Sequence, residues 1–445
     1  MVKFIIIITI RRIIMLFNMS PIVGLVPLVI YIILSFKDLN PVLNVLLCVI
    51  LSAILTKQPF SSFGGVIADS LGSFLGMIGF IIMLGSGLGA ILQKTGVAEF
   101  IVMSLMKKIG VDNEKKAIVA TMISSTVLVS LLGTLAGANA IIAPIIIPLV
   151  AVIGITPSTV AVAFMGAGLT GMFLGPYTPQ VVTIMGLTNL SYGSYVTGAG
   201  IPLALVVLVL TYIMANRVQK KTLGVYAYEN VEEPKKDYAA SKETINAVKA
   251  FAITIVALIG YGIILQGGSS FAILVISVSA IATGVAGGLK ADDLVETFVK
   301  GASRVMWLFI MFILFNPFIN FIAEAGSFEA LVSLLNPLLE SQNKVVFSLV
   351  ATLTGIFGVG GAATADNIVM DNMFKSIVTD MGISSTLWAL ILLVSGQITS
   401  FAYPEADMIG QMGLARSKDM KNLVKYGVTI TVFSVILVVV RSFLG

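Results

Sequence analysis

Fourteen apolar runs, seven on each side of one charged stretch, constrain this chain more than any other feature. Most approach the roughly 20 residues that cross a hydrocarbon core. The first seven fall between Pro21 and Ala215, with Ile67–Gln93 as one long run, and the second seven fall between Phe251 and Leu444. Only 11% of residues are charged and 58% are hydrophobic, whereas soluble domains carry about 25% charged residues. So few charges cannot clothe a water-facing surface for 445 residues, which predicts an all-α polytopic membrane protein. Residues 1–19 stand apart as an apolar segment interrupted by Arg11 and Arg12, either interfacial or an extra span.

The two sets of runs repeat. Adding 228 carries Lys116 to Lys344, Asn139 to Asn367, Gly154 to Gly382, Gly168 to Gly396 and Pro176 to Pro404. Upstream the offset is 230, aligning TGVAEFIV (95–102) with AGSFEALV (325–332); downstream it is 227, aligning IMGL (184–187) with QMGL (411–414). Each half contains a small, polar break between two apolar arms, LLGTLAGAN (131–139) and GVGGAATADN (358–367). Gly and Asn are turn formers, so each break is expected to be a re-entrant hairpin whose second arm starts just after the Asn. Counting a hairpin as no crossing leaves five spans per half, and an odd number inverts the second half. The expected architecture is two inverted repeats of five transmembrane helices, 20–216 and 250–445, each with a re-entrant hairpin and a broken helix. Inverted repeats with broken helices mark secondary transporters. On this count 20 of the 27 basic residues share one face, including Lys37, Lys235 and Lys236. Basic residues gather on the cytoplasmic side, so the charged linker 217–249 is expected in the cytoplasm of a multi-pass cell-membrane protein.

Polar side chains inside spans are functional candidates. The first break offers Thr134 and Asn139; the second offers Thr364, Asp366 and Asn367, with Asp371 and Asn372 a turn later. A helix N-terminus facing free carbonyls can hold an anionic group on one side and Na+ on the other, so each break could bind an ion near its Asn. The alternative is that these Asn residues only cap the arms. GMFLGPYTPQVV (171–182) and GQITSFAYPEADMIG (396–410) are proline-bearing breaks in apolar sequence and should unwind their helices. They contribute Tyr177 and Thr178 from the first half, and Gln397, Thr399, Ser400, Tyr403, Glu405 and Asp407 from the second. A surface loop would be the plain explanation of the second. Asp366, Asp371, Glu405 and Asp407 have no acidic counterparts in the first half. Carboxylates buried near one another cannot all stay ionised and could exchange protons for cations. Asp69 is a further acidic candidate, and Lys375 could pair with Asp371 at i, i+4, making both structural.

The hairpins and following breaks resemble the ion-transporter superfamily: Na+/H+ antiporters, citrate and gluconate permeases, and divalent-anion/Na+ symporters. GAGLTGMFLGPYTPQVVTIMGL (166–187) is similar in glycine spacing to an Na+/H+ antiporter signature, and GTLAGANAIIAPIIIP (133–148) resembles the Asn-bearing hairpin of the divalent-anion symporters. The resemblance implies a homodimer in membrane lipid, with a scaffold domain and a moving transport domain. It also implies that Asn139 and Asn367 help hold Na+ and substrate. The chain departs from the family patterns, lacking a clear Ser-Asn-Thr at either tip and an Asp in GPYTP.

These features predict a cation-coupled secondary transporter working by elevator-type alternating access. Na+/H+ exchange is favoured over Na+- or H+-coupled symport of a small amino acid or carboxylate, and a passive ion channel is the third reading. Four nearby acids disfavour a multiply charged anion. With no His and one Cys, most zinc, copper and haem sites lack ligands. No cofactor is expected beyond Na+ or H+ as coupling ion. No nucleophile–base pair suggests an enzyme, no GxxxxGK[ST] loop suggests a pump, and the net charge of +5 reports topology rather than nucleic-acid binding.

Overall fold

The computed structural model describes residues 20–35, 39–229, 239–265, 270–328, 330, 333, 343–358 and 363–444. The segment 1–19, Lys37, Lys235, Lys236 and the turn residues 359–362 of the second break lie outside the described residues. Those described form helices and turns, with no strand. In chain order the first half holds α1 Val26–Ser35, α2 Pro41–Leu55, α3 Phe63–Leu71, α4 Phe74–Lys94, α5 Val97–Ile109, α6 Glu114–Leu132, α7 Leu135–Ala151, α8 Pro157–Leu174, α9 Pro179–Thr188 and α10 Ile201–Thr222. The second half holds α11 Lys242–Ile264, α12 Phe271–Ala286, α13 Ala291–Ser303, α14 Met306–Glu324, α15 Lys344–Gly358, α16 Ala363–Asp380, α17 Ser385–Gln397, α18 Ala406–Leu414 and α19 Met420–Leu444. Seven helical stretches are long and apolar enough to cross a membrane, which makes this an all-α polytopic membrane fold.

Local chemistry sets the helix starts. Asn113, Thr156, Thr178 and Ser384 cap α6, α8, α9 and α17 by accepting a backbone N–H three residues on. Pro157 and Pro179 occupy first-turn positions where no N–H is needed. Two expectations change here. The run Ile67–Gln93 is two helices rather than one, because the Ser73 hydroxyl accepts from Gly76 N–H and starts α4 afresh. The linker is shorter than 217–249, since α10 runs on to Thr222 and α11 begins at Lys242. Lys220 and Lys221 sit in the last turn of α10, where they favour the helix dipole.

The backbone repeats its left-handed turns at the offsets found in the sequence. Gly96 and Gly326 have φ of 76° and 71°, Gly154 and Gly382 have 85° and 58°, and Asn189 and Arg416 have 55° and 54°. The two ends of each hairpin also meet. Gln219 Nε2 donates to the Gly154 carbonyl after α7 (2.8 Å) and to Glu114 at the start of α6 (3.3 Å). In the second half Lys344, the first residue of α15, donates to the Gly382 carbonyl after α16 (2.9 Å). On the exposed approach to α6, Lys116 lies 2.6 Å from Asp112 and holds that carboxyl below its usual range.

Packing gathers the helices in two groups. The α4 helix packs on α12, α13 and α14, and α2 on α14; Ser86 donates to the Gly301 carbonyl (2.7 Å) and Asn316 to Ser70 (3.1 Å). In the other group α8 is enclosed by α6 and α10, and α17 by α15, α16 and α19. Both α8 and Leu387–Gln397 of α17 are buried almost throughout. Small residues allow this closeness, as in membrane helix pairs generally. At Gly171 a methyl group would lie 2.6 Å from the Thr126 carbonyl and 2.8 Å from Val129 Cβ on α6. Gly171→Val should therefore cost about 1–3 kcal/mol and lower the unfolding midpoint of the detergent-solubilised protein; an unchanged midpoint would contradict this packing.

Candidate functional site

The helix that follows each break docks on the other half. The α9 helix packs on α16 and α17, while α18 packs on α7 and α8. This exchange delivers one glutamine to each hairpin Asn. Neither Gln180 nor Gln411 was singled out by the sequence, although the alignment of IMGL with QMGL already sets Gln411 opposite Ile184.

In the first half the Asn side chain is fully engaged. Asn139 Oδ1 accepts from Ser125 on α6 (2.7 Å), and its Nδ2 donates to the Phe164 carbonyl on α8 (3.2 Å) and to Gln411 Oε1 on α18 (2.7 Å). It is fully buried and packs on Gly168, where a methyl would stand 3.0 Å from Nδ2. The α7 helix starts at Leu135, not after Asn139, because the extended residue Thr134 (φ −139°) occupies the N-cap. Asn139 thus lies one turn inside the helix: it neither caps the arm nor stands at its tip. Tyr177 and Thr178 border the hairpin turn, their backbone atoms 3.6–3.8 Å from a methyl built on Gly133. Thr178 serves as cap for α9 and donates to the Met172 carbonyl (2.8 Å), whereas the buried Tyr177 hydroxyl has no hydrogen-bond partner among the described residues.

In the second half the matching arrangement is open. A methyl on Gly396 would lie 2.6 Å from Asn367 Oδ1 and 3.0 Å from Gln180 Nε2, so both side chains converge on one spot of α17. Among the described residues neither amide atom of Asn367 has a hydrogen-bond partner, nor does Gln180 Nε2, Gln397 Oε1 or either oxygen of Asp366. All four residues are at most 4% exposed. An ionised carboxylate in such a place is costly unless a positive charge or hydrogen-bond donors answer it. Tyr403 lies within the electrostatic reach of both Asp366 and Glu405, linking this cluster to the second break. There Glu405 occupies the N-cap of α18, Asp407 follows in its first turn, and Ser400 donates to Asp407 Oδ2 (2.9 Å). Both acids sit at the favourable end of the helix dipole.

The remaining candidates have local contacts of their own. Thr399 donates to the Gly396 carbonyl (2.7 Å), and Thr364 is buried in the first turn of α16. Asn372 donates back to the Ile368 carbonyl (2.8 Å). Asp371 accepts from Trp388 Nε1 (2.8 Å) and pairs with Lys375 at 3.4 Å, a structural arrangement in which it braces α16 against α17. Asp69 is exposed on α3, away from any cluster. Among the described residues no group of His, Cys, Asp and Glu could hold a metal by those side chains alone.

Residues 16–268 match the family model of the GntP family permeases. The structure is similar to that of the Alcanivorax borkumensis YdaH transporter, described as having an unusual topology; the TM-score is 0.62 and the identity 13%, over 91% of this chain and 97% of that one. It also aligns with Neisseria gonorrhoeae MtrF, described within a class of antimetabolite efflux pumps, over 97% of this chain and 96% of that one, at 10% identity and a TM-score of 0.47. No curated protein sequence matches. The likeness to YdaH is one of fold alone.

Asp366 and Asp371 should respond differently to neutralisation. Asp366→Asn removes an unanswered charge and should leave the unfolding midpoint unchanged or raise it. Asp371→Asn loosens the Lys375 pair and the Trp388 bond and should cost about 1–3 kcal/mol. Thermal melts of the two variants in the same detergent check this, and equal losses would refute the assignment.

Proposed function

This chain belongs to the GntP family of permeases, a multi-pass membrane transporter rather than an enzyme, and we propose that it is a cation-coupled secondary transporter whose coupling ion is answered by Asp366. The observation that carries this reading is the buried cluster of Asp366, Asn367, Gln180 and Gln397, in which both Asp366 oxygens, both Asn367 amide atoms, Gln180 Nε2 and Gln397 Oε1 have no hydrogen-bond partner among the described residues. Na+ or H+ supplies the charge that Asp366 needs. The three amides offer donors and acceptors to a small polar organic solute. No basic residue stands among these four, so a multiply charged anion is a poor cargo for this site.

In this proposal the halves 20–216 and 250–445 are the two inverted repeats, with the charged stretch between α10 and α11 as the cytoplasmic linker, and the ion-transporter superfamily is the wider kinship. The meeting of each hairpin's ends at Gln219 and at Lys344 brings the second arm back to the side where the first began, as a re-entrant hairpin requires. The group of α2, α4 and α12–α14 would serve as scaffold, paired with a second copy in the membrane. The group built around α8 and α17 would carry the site across by an elevator motion. Exchange of Na+ for H+ without an organic cargo is the second reading, favoured by Glu405 and Asp407 at the start of α18, with Ser400 donating to Asp407.

Proteoliposomes with imposed Na+ or pH gradients, with and without a panel of amino and organic acids, test these readings together. Accumulation of a solute above equilibrium, lost in Asp366→Asn and on collapsing the gradient, is the expected result. Gradient-driven Na+/H+ exchange unaffected by every solute would select the second reading. Solute fluxes that only equilibrate would instead indicate a channel and overturn both.

A further inference from the structure

A cleft of about 380 Å³ opens between α5 and α7, away from the Asp366 cluster. One wall carries Gln93 from the end of α4 with Glu99 and Met103 from α5, and the other carries Ala140, Pro144 and Pro148 of α7. The two prolines lie inside α7, four residues apart. Proline has no backbone N–H, so Pro144 cannot donate to the Ala140 carbonyl and Pro148 cannot donate to the Pro144 carbonyl; each ring also pushes the carbonyl four residues back off the helix axis. Ala140 and Pro144 are thus chemically bound to lack their helical donors, and both residues are exposed on the cleft. Four residues along a helix correspond to about 6 Å. Carbonyls without donors at membrane depth are tolerated where they line a wet cavity or meet a ligand.

The geometry points to this cleft as a second ligand site, for an organic cation bearing two N–H donor groups about one helical turn apart, as in a short aliphatic diamine. The two carbonyls accept from the two ammonium groups. Glu99 supplies negative charge on the facing wall, and Met103, Ile141 and Ile145 pack the carbon chain. The volume falls within the range of pockets for small organic molecules. The site does not depend on the coupling role of Asp366, since none of its residues belongs to that cluster.

The test is equilibrium binding to the purified full-length protein in detergent. The probe is 1,4-diaminobutane; butylamine, 1,4-butanediol and tetramethylammonium are the comparisons. Saturable binding of the diamine, at least fivefold tighter than butylamine and absent for the diol and tetramethylammonium, is expected. Pro144→Ala and Pro148→Ala each restore an N–H that competes for one carbonyl, and each should weaken diamine binding at least fivefold. Alanine is at home in a helix interior, so both variants should fold, which their thermal midpoints verify. Glu99→Gln, which removes the charge and keeps the shape, should also weaken binding at least fivefold. No saturable diamine binding to the wild type would overturn the proposal, and so would wild-type affinity in the Pro144→Ala/Pro148→Ala double variant.

Discussion

The side chain of Asn139 joins three helices at the centre of the molecule, and the arrangement of the core depends on it. Its oxygen and both amide hydrogens are committed to Ser125 on α6, Phe164 on α8 and Gln411 on α18. Within a membrane no water is at hand to satisfy polar groups, so such a residue must find its partners inside the protein. The Gln411 bond is also the point where the second half reaches into the first. Without a small residue at Gly168 the Asn side chain would not fit against α8.

The second half keeps the same frame, but among the described residues its Asn side chain finds no hydrogen-bond partner. Asn367 packs on Gly396 as Asn139 packs on Gly168, and Gln180 arrives from the first half as Gln411 arrives from the second. Where Asn139 is saturated, however, Asn367 has no hydrogen-bond partner among the described residues, and Asp366 stands beside it where the first half has Ala138. In the proposed reading one member of the pair holds the bundle together, while the other is placed to meet the transported species. Two halves built alike could divide labour in this way, the structural copy fixing the geometry that the binding copy uses. Bonds left open inside a protein are a cost to stability, and such costs concentrate where function requires them.

Much of this was legible in the sequence, because polar residues and prolines are rare in apolar runs and their recurrence at one offset is conspicuous. The Asn and Gly pairs, the proline breaks and the acidic excess of the second half are all of that kind. What escaped was either local capping or contact across the halves. Thr134 displaced Asn139 as the start of α7 because an extended β-branched residue ends the turn earlier than the Gly and Asn pattern suggests. Ser73 divided a run that hydropathy alone leaves whole. Gln180 and Gln411 each lie far in sequence from the Asn they approach, so no periodicity within one half could pair them. Asp371 shared its helix with Asp366, yet Trp388, a residue of the next helix, turns it into a brace.

The central claim is that one glutamine serves structure and its counterpart serves binding. The most direct test compares Gln411→Ala with Gln180→Ala, measuring for each the unfolding midpoint and the solute or cation concentration that half-saturates transport. Gln411→Ala should lower the midpoint, because it strips an acceptor from a buried amide, and should leave the half-saturating concentration near that of wild type. Gln180→Ala should leave the midpoint in place and raise the half-saturating concentration severalfold. If the two variants exchange these behaviours, or change both quantities alike, the division between the halves is wrong.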